Sequence, residues 1–309
     1  MELLKRNIHL LSSLRNMVET NNEHYTHTVI NEKEITENTI SIVMTSHERS
    51  KQVYFTLKTI NDCNFKDVQV IIVDDSINDS IHIDKLKEYN IHIEFISINR
   101  HIKYWANPCI NYNIGFKYIK GNKVIIQNGE VCYIGDVLEY IRYILDDKYY
   151  VFDVKASSNF DTNDIIYSSP LDTNIYDRNL WSQWYQNTTE RNVNYHFLTA
   201  LTKKTFDKIG GFSYDYSFGS CYDDDDFLLK IQVNNITIIN VNHTMNYIGG
   251  IHLYHGYTVN ITNTDAYSKP QNIDLFHKKR NYIMRTGTYL ELSSYNSNIY
   301  EMYDILNTY

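Results

Sequence analysis

The sequence predicts an α/β protein in which helices cover both faces of a mainly parallel sheet. Two features lead to this prediction: short, continuously apolar runs alternate with amphipathic helical patterns, and polar residues follow several of the runs. Continuously apolar strands are typical of sheets that are buried on both faces. The runs that we interpret as strands are residues 40–44, 68–73, 93–98, 123–127 and 149–154.

Amphipathic patterns predict the helices that connect these strands. Apolar residues recur at helical spacing within residues 53–60, and again within residues 135–145. A third helix is expected over residues 202–209, with Thr202 as its N-cap and Gly210-Gly211 as its end. Helices at these places would alternate with the strands along the chain.

Both ends of the chain are predicted to extend a central domain that spans residues 39–257. Residues 1–38 would form a helical N-terminal extension. Its first part, residues 1–18, favours a packing helix, with a membrane-surface anchor as the alternative. Residues 258–309 would form a helical or irregular C-terminal extension. Residues 157–194 are rich in Tyr, Asn and Ser and are interpreted as loops that can close over a ligand.

The composition argues against several classes of function. The chain has 309 residues and 43% hydrophobic content, enough for one large domain with extensions. Its formal net charge of -8 argues against a nucleic-acid groove, which needs clustered Lys and Arg. No run approaches the ~18 apolar residues of a membrane span, and no signal peptide is recognised. The 4 cysteines are far apart, which predicts reduced thiols and a cytoplasmic location.

Polar residues follow the first two strands, at the sheet edge where α/β proteins bind ligands. Thr45, His47 and Arg49 come after the first strand, and Asp74 and Asp75 end the second. A carboxylate at this edge can accept a hydrogen bond from a base N–H and hold a ribose hydroxyl. The alternative interpretation is that these residues cap the helices that follow them.

The fourth strand is followed by the segment Gln127-Asn-Gly-Glu130. Glu130 offers a hard oxygen ligand, which suits Mg²⁺ or Mn²⁺ bridging two phosphates. The alternative is a turn whose Asn-Gly pair simply suits its backbone. Further along the chain, His252 and His255 are spaced so that one or both can face a site, or both can be structural.

Four consecutive aspartates, residues 223–226, are the most suggestive run in the chain. Two charges about 5 Å apart repel by about 3 kcal/mol at an effective dielectric constant of 20. A helix N-terminus offsets only about 0.3–1 kcal/mol for each carboxylate. The run is therefore expected to be solvated, to bind a metal, or to contain a base with a raised pKa. The apolar start of the following helix, residues 227–233, argues against full solvation.

Aromatic side chains offer a weaker signal. They can stack on a base or on a sugar face, although aromatic residues also form cores. The residues in question are Trp105, Trp181, Trp184 and Tyr195.

Taken in order, these motifs resemble family-2-like GT-A glycosyltransferases over residues 41–256. The similar segments are residues 41–49, 70–76, 111–115, 127–130, 206–212 and 222–230. The resemblance implies a GT-A, Rossmann-like fold and an enzyme of glycan biosynthesis. Such an enzyme moves a sugar from a nucleotide diphosphate, most often UDP, onto an acceptor hydroxyl. A glycan or other hydroxyl compound would be the acceptor, and a homo-oligomer is compatible with this family.

The resemblance also implies roles for individual residues. Asp224 would be the catalytic base and Asp223 its partner, while Glu130 and His255 would hold Mn²⁺ or Mg²⁺, with His252 as the alternative histidine. The family's Asp-x-Asp metal motif falls on residues 128–130, where Asn128 replaces the first aspartate. The residues that would hold the nucleotide are Thr45, His47, Arg49, Asp74, Asp75, Asn113 and Asn128.

The implied reaction is an inverting, single displacement. Asp224 would deprotonate the acceptor as it attacks the anomeric carbon, and the cation would stabilise the leaving diphosphate. Three other functions are compatible with the sequence. A nucleotidyltransferase would carry a Gly-rich, Lys-containing loop, which residues 45–49 lack. The others are a non-catalytic domain that binds a sugar nucleotide or scaffolds partners, and a calcium-binding module built on residues 223–226.

Overall fold

The computed structural model describes residues 2–20, 23–101, 103–169, 171, 175, 181–256, 265–295 and 298–308. The strands are β1 (Tyr25–Ile30), β2 (Ile40–Ser46), β3 (Val68–Asp74), β4 (His92–Ile98), β5 (Lys123–Asn128), β6 (Val131–Ile134), β7 (Lys148–Phe152), β8 (Val154–Ser157), β9 (Trp181–Gln186), β10 (Leu198–Thr202), β11 (Thr237–Val241) and β12 (Gly249–His252). The helices are α1 (Glu2–Thr20), α2 (Ser50–Asp62), α3 (Ile83–Leu86), α4 (Cys109–Phe116), α5 (Val137–Ile141), α6 (Phe160–Ser168), α7 (Lys203–Ile209), α8 (Asp223–Val233), α9 (His243–Asn246), α10 (Asp265–Thr286) and α11 (Ile299–Leu306).

The main sheet has eight strands in the order β1-β4-β3-β2-β5-β10-β7-β11. Strands β4, β3, β2 and β5 run parallel to one another, and β7 runs parallel to β11. Strand β10 is inserted antiparallel between β5 and β7, and β1 pairs antiparallel with β4 at the edge. The strands predicted over residues 40–44, 68–73, 93–98 and 123–127 are confirmed, and every residue of β3 is buried. The run predicted as a single strand over residues 149–154 is instead divided between β7 and β8, which belong to different sheets.

A second sheet of four strands has the order β6-β12-β8-β9. Strand β6 starts directly after β5, and its partner β12 places His252 opposite Val131. This register brings the end of β12 next to Glu130, the residue that precedes Val131. Two distant parts of the sequence therefore meet at one rim of the main sheet.

Helices cover both faces of the main sheet, as predicted. Apolar residues of α2 and α5 belong to the core on one face, and those of α4, α7 and α8 to the core on the other. Gly115 of α4 allows close packing, since a Cβ there would lie 2.8 Å from Cγ1 of Val43 on β2. Helix α7 begins and ends as expected. The Thr202 side chain accepts a hydrogen bond from the Thr205 N–H, and Gly210 has a left-handed φ of 72°.

The structure differs from the sequence predictions in several elements. The helix expected over residues 135–145 is confined to α5, and the aspartates 223–226 form the first turn of α8 instead of preceding it. The region 157–194, expected to be loops, contains α6 and β9. Strand β9 mixes aromatic and polar residues, so its sequence lacks a clear alternation, and its pairing with β8 defines it.

The two ends of the described chain pack against each other. Helix α1 contacts α10, α11 and the short 3₁₀ segment Leu292–Ser294. Its buried residues share one apolar cluster with the C-terminal region, including Ile8, Leu11, Leu275, Leu292 and Leu306. The region before residue 39 also contributes β1, a sheet strand that we did not predict. Among the helices that the structure describes, none combines the length and apolar character that crossing a bilayer requires.

Candidate functional site

The carboxyl ends of β2, β3 and β5 open into a cleft with a volume of about 1210 Å³. Tyr185, Arg191, residues 195–197 and the start of α8 also line it. The cleft therefore brings Asp75, Glu130 and Asp224 together, although they are far apart in the sequence. The predicted site residues that line it are Thr45, His47, Arg49, Asp75, Asn128, Glu130, Asp223 and Asp224.

Asp75 lies at one end of the cleft, where it is buried and surrounded by donors. His47 Nδ1 lies 2.7 Å from one carboxylate oxygen, and Asn111 donates to the other at 3.0 Å. Arg100, at 3.3 Å, and Lys103 also contact that second oxygen. Burial raises the pKa of Asp75, but the hydrogen bond from His47 and the charge of Lys103 outweigh it and lower the pKa. Asp75 is therefore an oriented, ionised carboxylate with cations beside it.

Two residues predicted to hold the nucleotide do not line the cleft. Asp74 is buried, and its carboxylate accepts hydrogen bonds from Ser76 and from the N–H of Ile81. The amide of Asn113 donates to the carbonyl of Phe212 and accepts from its N–H. Both side chains stabilise loops in this structure, because their polar atoms form hydrogen bonds with nearby backbone groups.

Gly129 lets the segment after β5 approach β2 closely. A Cβ at this position would lie 2.5 Å from the carbonyl oxygen of Thr45. Its φ is not among the left-handed values, so the close approach, not a special turn conformation, accounts for the glycine. This close approach lies between Asn128 and Glu130, which both line the cleft.

Glu130 is fully buried at the centre of a cluster of cationic and imidazole groups. Arg49 donates to its Oε1, and Nε2 of His252 and of His255 lie 2.9 and 3.5 Å from the same oxygen. Burial raises the pKa of Glu130, but the neighbouring Arg49 and His252 outweigh it, so the pKa is lowered. Both histidines that we considered therefore reach Glu130, and His252 lies closer than His255.

The residues of this cluster fit a divalent cation. One ligand atom from each of Glu130, His252 and His255 lies within 4.8 Å of the others. Oε2 of Glu130 is buried and has no hydrogen-bond partner among the described residues, so it is available as a ligand. Burial lowers the pKa of His255 to about 4, which keeps its imidazole neutral, the form that binds a metal. One carboxylate and two imidazoles suit Mn²⁺ better than Ca²⁺.

The first two aspartates of α8 face the cleft in different environments. Asp223 is buried and accepts a hydrogen bond of 3.2 Å from the amide of Asn107. Its burial and the charge of Asp224 raise the pKa of Asp223 to about 6. The side chain of Asp224 is 26% exposed, so it is the more accessible of the two. Asp225 accepts a hydrogen bond of 2.8 Å from the Tyr195 hydroxyl.

His196 was not predicted as a site residue, yet it contacts Asp224. Its Nδ1 lies against the Asp224 carboxylate, with which the protonated imidazole forms an ion pair, and the ring packs on Tyr112 and Phe212. Burial lowers the pKa of His196, but the charge of Asp224 outweighs it and raises the pKa. The sequence around His196, a single histidine before a short apolar run, does not indicate a site residue. Its contact with Asp224 depends on the position of β10 in the sheet.

The predicted aromatic residues are divided between the cleft and the core. Trp105 lines the cleft and donates from its indole N–H to Asn111 at 2.9 Å, and Tyr195 also lines the cleft. Trp181 and Trp184 lie on β9, where both rings contact Lys155 instead of the cleft.

No protein-family model matches the chain, and no curated protein matches it. Solved structures do match. TarS of S. aureus superposes with a TM-score of 0.56 at 11% identity, over 87% of this chain and 43% of the TarS chain. TarS residues 1–349 in complex with UDP-GlcNAc gives a TM-score of 0.52 at 11% identity, over 71% of this chain and 59% of that one. The same fragment with UDP gives 0.53 at 10% identity, over 78% and 63%.

The chain thus spans less than half the length of the TarS chain in the longest of these structures. At this level of identity the likeness shows the fold. The protein has the mixed α/β fold of GT-A glycosyltransferases, with a large, mostly parallel central sheet covered by helices. The predicted fold class is confirmed, whereas the family-2 assignment stays a prediction.

Proposed function

We propose that this protein is a glycosyltransferase that moves a sugar from a UDP-sugar to an acceptor hydroxyl with inversion at the anomeric carbon. The observation that carries the proposal is the meeting of Asp75, Glu130 and Asp224 in one cleft of a GT-A fold. The cleft volume of about 1210 Å³ can hold a nucleotide sugar together with part of an acceptor. Residues 39–257 would carry the reaction, and residues 1–38 and 258–309 would support it.

The donor nucleotide would lie along the ends of β2, β3 and β5. Asp75 would accept a hydrogen bond from the base, and Thr45, His47 and Asn128 would contact the nucleoside. Asp75 is suited to this role because its four donors orient the carboxylate before any ligand arrives. The TarS fragment was solved with UDP and with UDP-GlcNAc, which favours UDP as the nucleotide here.

Glu130, His252 and His255 would hold Mn²⁺ or Mg²⁺ close to the diphosphate. When bound, the cation supplies positive charge that stabilises the leaving UDP. Arg49 already lies against Glu130 and would contribute a further positive charge at the same end of the cleft.

Asp224 would act as the general base. Its partial exposure in the cleft lets an acceptor hydroxyl approach the carboxylate, whereas Asp223 is buried. The acceptor oxygen would attack the anomeric carbon, its proton would pass to Asp224, and the bond from that carbon to the diphosphate oxygen would break. UDP would then leave on the face opposite to the incoming oxygen.

Replacement of the base tests this proposal. General-base catalysis contributes about 10²–10⁴ in rate, so we expect Asp224→Asn to lose transfer by about that factor while it keeps UDP binding. The measurements are release of UDP from UDP-sugars in the presence of acceptor candidates, and calorimetric binding of UDP. Asp207→Asn, an exposed aspartate on α7, is the control and should match the wild type.

Several outcomes would contradict parts of the proposal. Near-wild-type transfer by Asp224→Asn would remove that residue from the role of base. UDP binding without any UDP release by the wild type would favour a non-catalytic binding domain. Equal rates with Mn²⁺ and with a chelator would exclude the metal from the reaction.

A further inference from the structure

The loop that leads into the aspartate run has an unusual backbone. Cys221 and Tyr222, which immediately precede Asp223, have left-handed φ values of 66° and 69°. Non-glycine residues adopt this conformation only where the surrounding structure holds them in it. Tyr222 is the N-cap residue of α8 and makes no side-chain capping hydrogen bond. Contacts from elsewhere in the fold must therefore maintain the turn that aims Asp223 and Asp224 into the cleft.

Helix α10 supplies those contacts through Asn272. The side chain of Asn272 is fully buried, and its Nδ2 donates to the carbonyls of Cys221 at 3.0 Å and Ser220 at 3.3 Å. A Cβ at Gly219 would collide with the Asn272 amide, so the glycine permits this close approach. The Tyr222 ring packs on Phe276, one helical turn further along α10, with centroids 5.5 Å apart.

The same helix holds the last aspartate of the run through Lys279. Its side chain is 0% exposed, and its Nζ lies 2.9 Å from Asp226 and 3.2 Å from Asp215. Tyr289 accepts from Lys279 at 3.0 Å and donates to the second oxygen of Asp226. A buried lysine paired with two buried carboxylates and a hydroxyl leaves little freedom for the first turn of α8.

We propose that α10 is part of the active-site scaffold, with Asn272 and Lys279 as positioning residues for Asp223 and Asp224. Asn272 fixes the backbone before these aspartates, and Lys279 fixes Asp226, two residues after Asp224. The end of the cleft proposed to hold the nucleotide is built from β2, β3 and β5. Helix α10 therefore acts on the other end, where Asp223 and Asp224 lie. The catalytic consequence rests on the proposed transferase function, but the positioning itself does not.

The test compares Asn272→Ala and the milder Tyr289→Phe with Arg280→Ala, an exposed residue of the same helix. Hydrogen exchange of the amides in residues 217–226 reports local order without reference to activity. We expect exchange there to be about tenfold faster in Asn272→Ala, because the carbonyls of Ser220 and Cys221 lose their donor. Displacement of Asp224 is expected to lower kcat by about 10- to 100-fold while the Kd of UDP stays unchanged. Tyr289→Phe should change the exchange rate and kcat in the same directions but by smaller factors, and Arg280→Ala should change neither quantity.

Unchanged exchange over residues 217–226 in a folded Asn272→Ala protein would overturn the proposal. Faster exchange spread evenly over the main sheet would also overturn it, because the residue would then serve general stability. Should Asn272→Ala fail to fold, Tyr289→Phe decides by the same two measurements. If the wild type shows no sugar transfer but the local exchange result holds, the transferase proposal fails and the positioning role stands.

Discussion

The four aspartates of residues 223–226 are chemically identical, but each has a different environment. Asp223 is buried beside Asn107, and Asp224 is partly exposed beside His196. Asp225 accepts from the Tyr195 hydroxyl, whereas Asp226 is fully buried against Lys279. The helix turns about 100° per residue, so consecutive side chains point in different directions. Repulsion within the run is therefore relieved by separate partners instead of by solvent alone.

The ion pair between His196 and Asp224 predicts a specific dependence of stability on pH. The folded-state pKa of His196 is raised, so its contribution is fully present below the unfolded-state pKa of about 6.5. The contribution is lost as the pH rises through the raised pKa. We expect His196→Gln to be less stable than the wild type by about 1 kcal/mol below pH ~6.5, with a smaller difference at alkaline pH.

Chemical unfolding of both proteins across a pH series measures this difference. His82→Gln replaces an exposed histidine that precedes α3 and serves as the control. A difference between wild type and His196→Gln that grows as the pH rises would have the wrong sign and would refute the assigned ion pair.

At the scale of elements, the cleft depends on how closely the segments that flank β5 approach β2. Gly129 lies at the carboxyl end of this strand pair, against the Thr45 carbonyl. Gly121 lies at the opposite end, where a Cβ would collide with the Thr39 carbonyl. The two glycines make equivalent contacts, but only Gly129 lies between two residues that line the cleft, Asn128 and Glu130.

This pair of glycines gives a matched prediction. We expect Gly129→Ala and Gly121→Ala each to destabilise the fold by about 1–3 kcal/mol, because the added Cβ meets backbone that must shift. Only Gly129→Ala should also weaken UDP binding, by about tenfold, because Asn128 and Glu130 move with it. Thermal unfolding and calorimetry measure the two effects, and equal loss of UDP binding in both variants would contradict the proposed location of the nucleotide.

Some elements were predictable from local sequence and others were not. Strands β2, β3 and β5 each contain an uninterrupted apolar run, and α7 carries its own N-cap and terminal glycine, so local physics is sufficient to define them. Strands β9 and β12 contain polar or glycine residues, and their pairing partners are distant in sequence. Intrinsic β-propensity predicts such strands poorly, because their stability comes from contacts with strands that are distant in the sequence.

At the scale of the whole molecule, the two ends of the chain form one apolar cluster next to the central domain. Leu11 of α1 is 0% exposed, and it shares this cluster with Leu292 and Leu306 from the C-terminal region. The same C-terminal region holds α8 through Lys279. The N-terminal helix is thus connected to the cleft through packed side chains.

We expect Leu11→Ala to destabilise the whole protein by about 2–5 kcal/mol, because it leaves a cavity in this cluster. Ser13→Ala, an exposed change on the same helix, should have little effect. Denaturant unfolding followed by far-ultraviolet circular dichroism measures both. A separate early transition in Leu11→Ala, with the main transition unmoved, would show instead that the ends unfold independently of the central domain.

The sequence by itself determined the α/β class, the central strands and the polar residues that end at the carboxyl edge of the sheet. Those properties depend on local hydrophobic runs and on caps that act over a few residues. Only the tertiary structure decided which polar groups meet: His196 with Asp224, His252 with Glu130, and Lys279 with Asp226. These contacts depend on β10, β12 and α10, whose positions are set by long-range packing. The residues next to a side chain in the sequence therefore do not reveal which distant group it contacts.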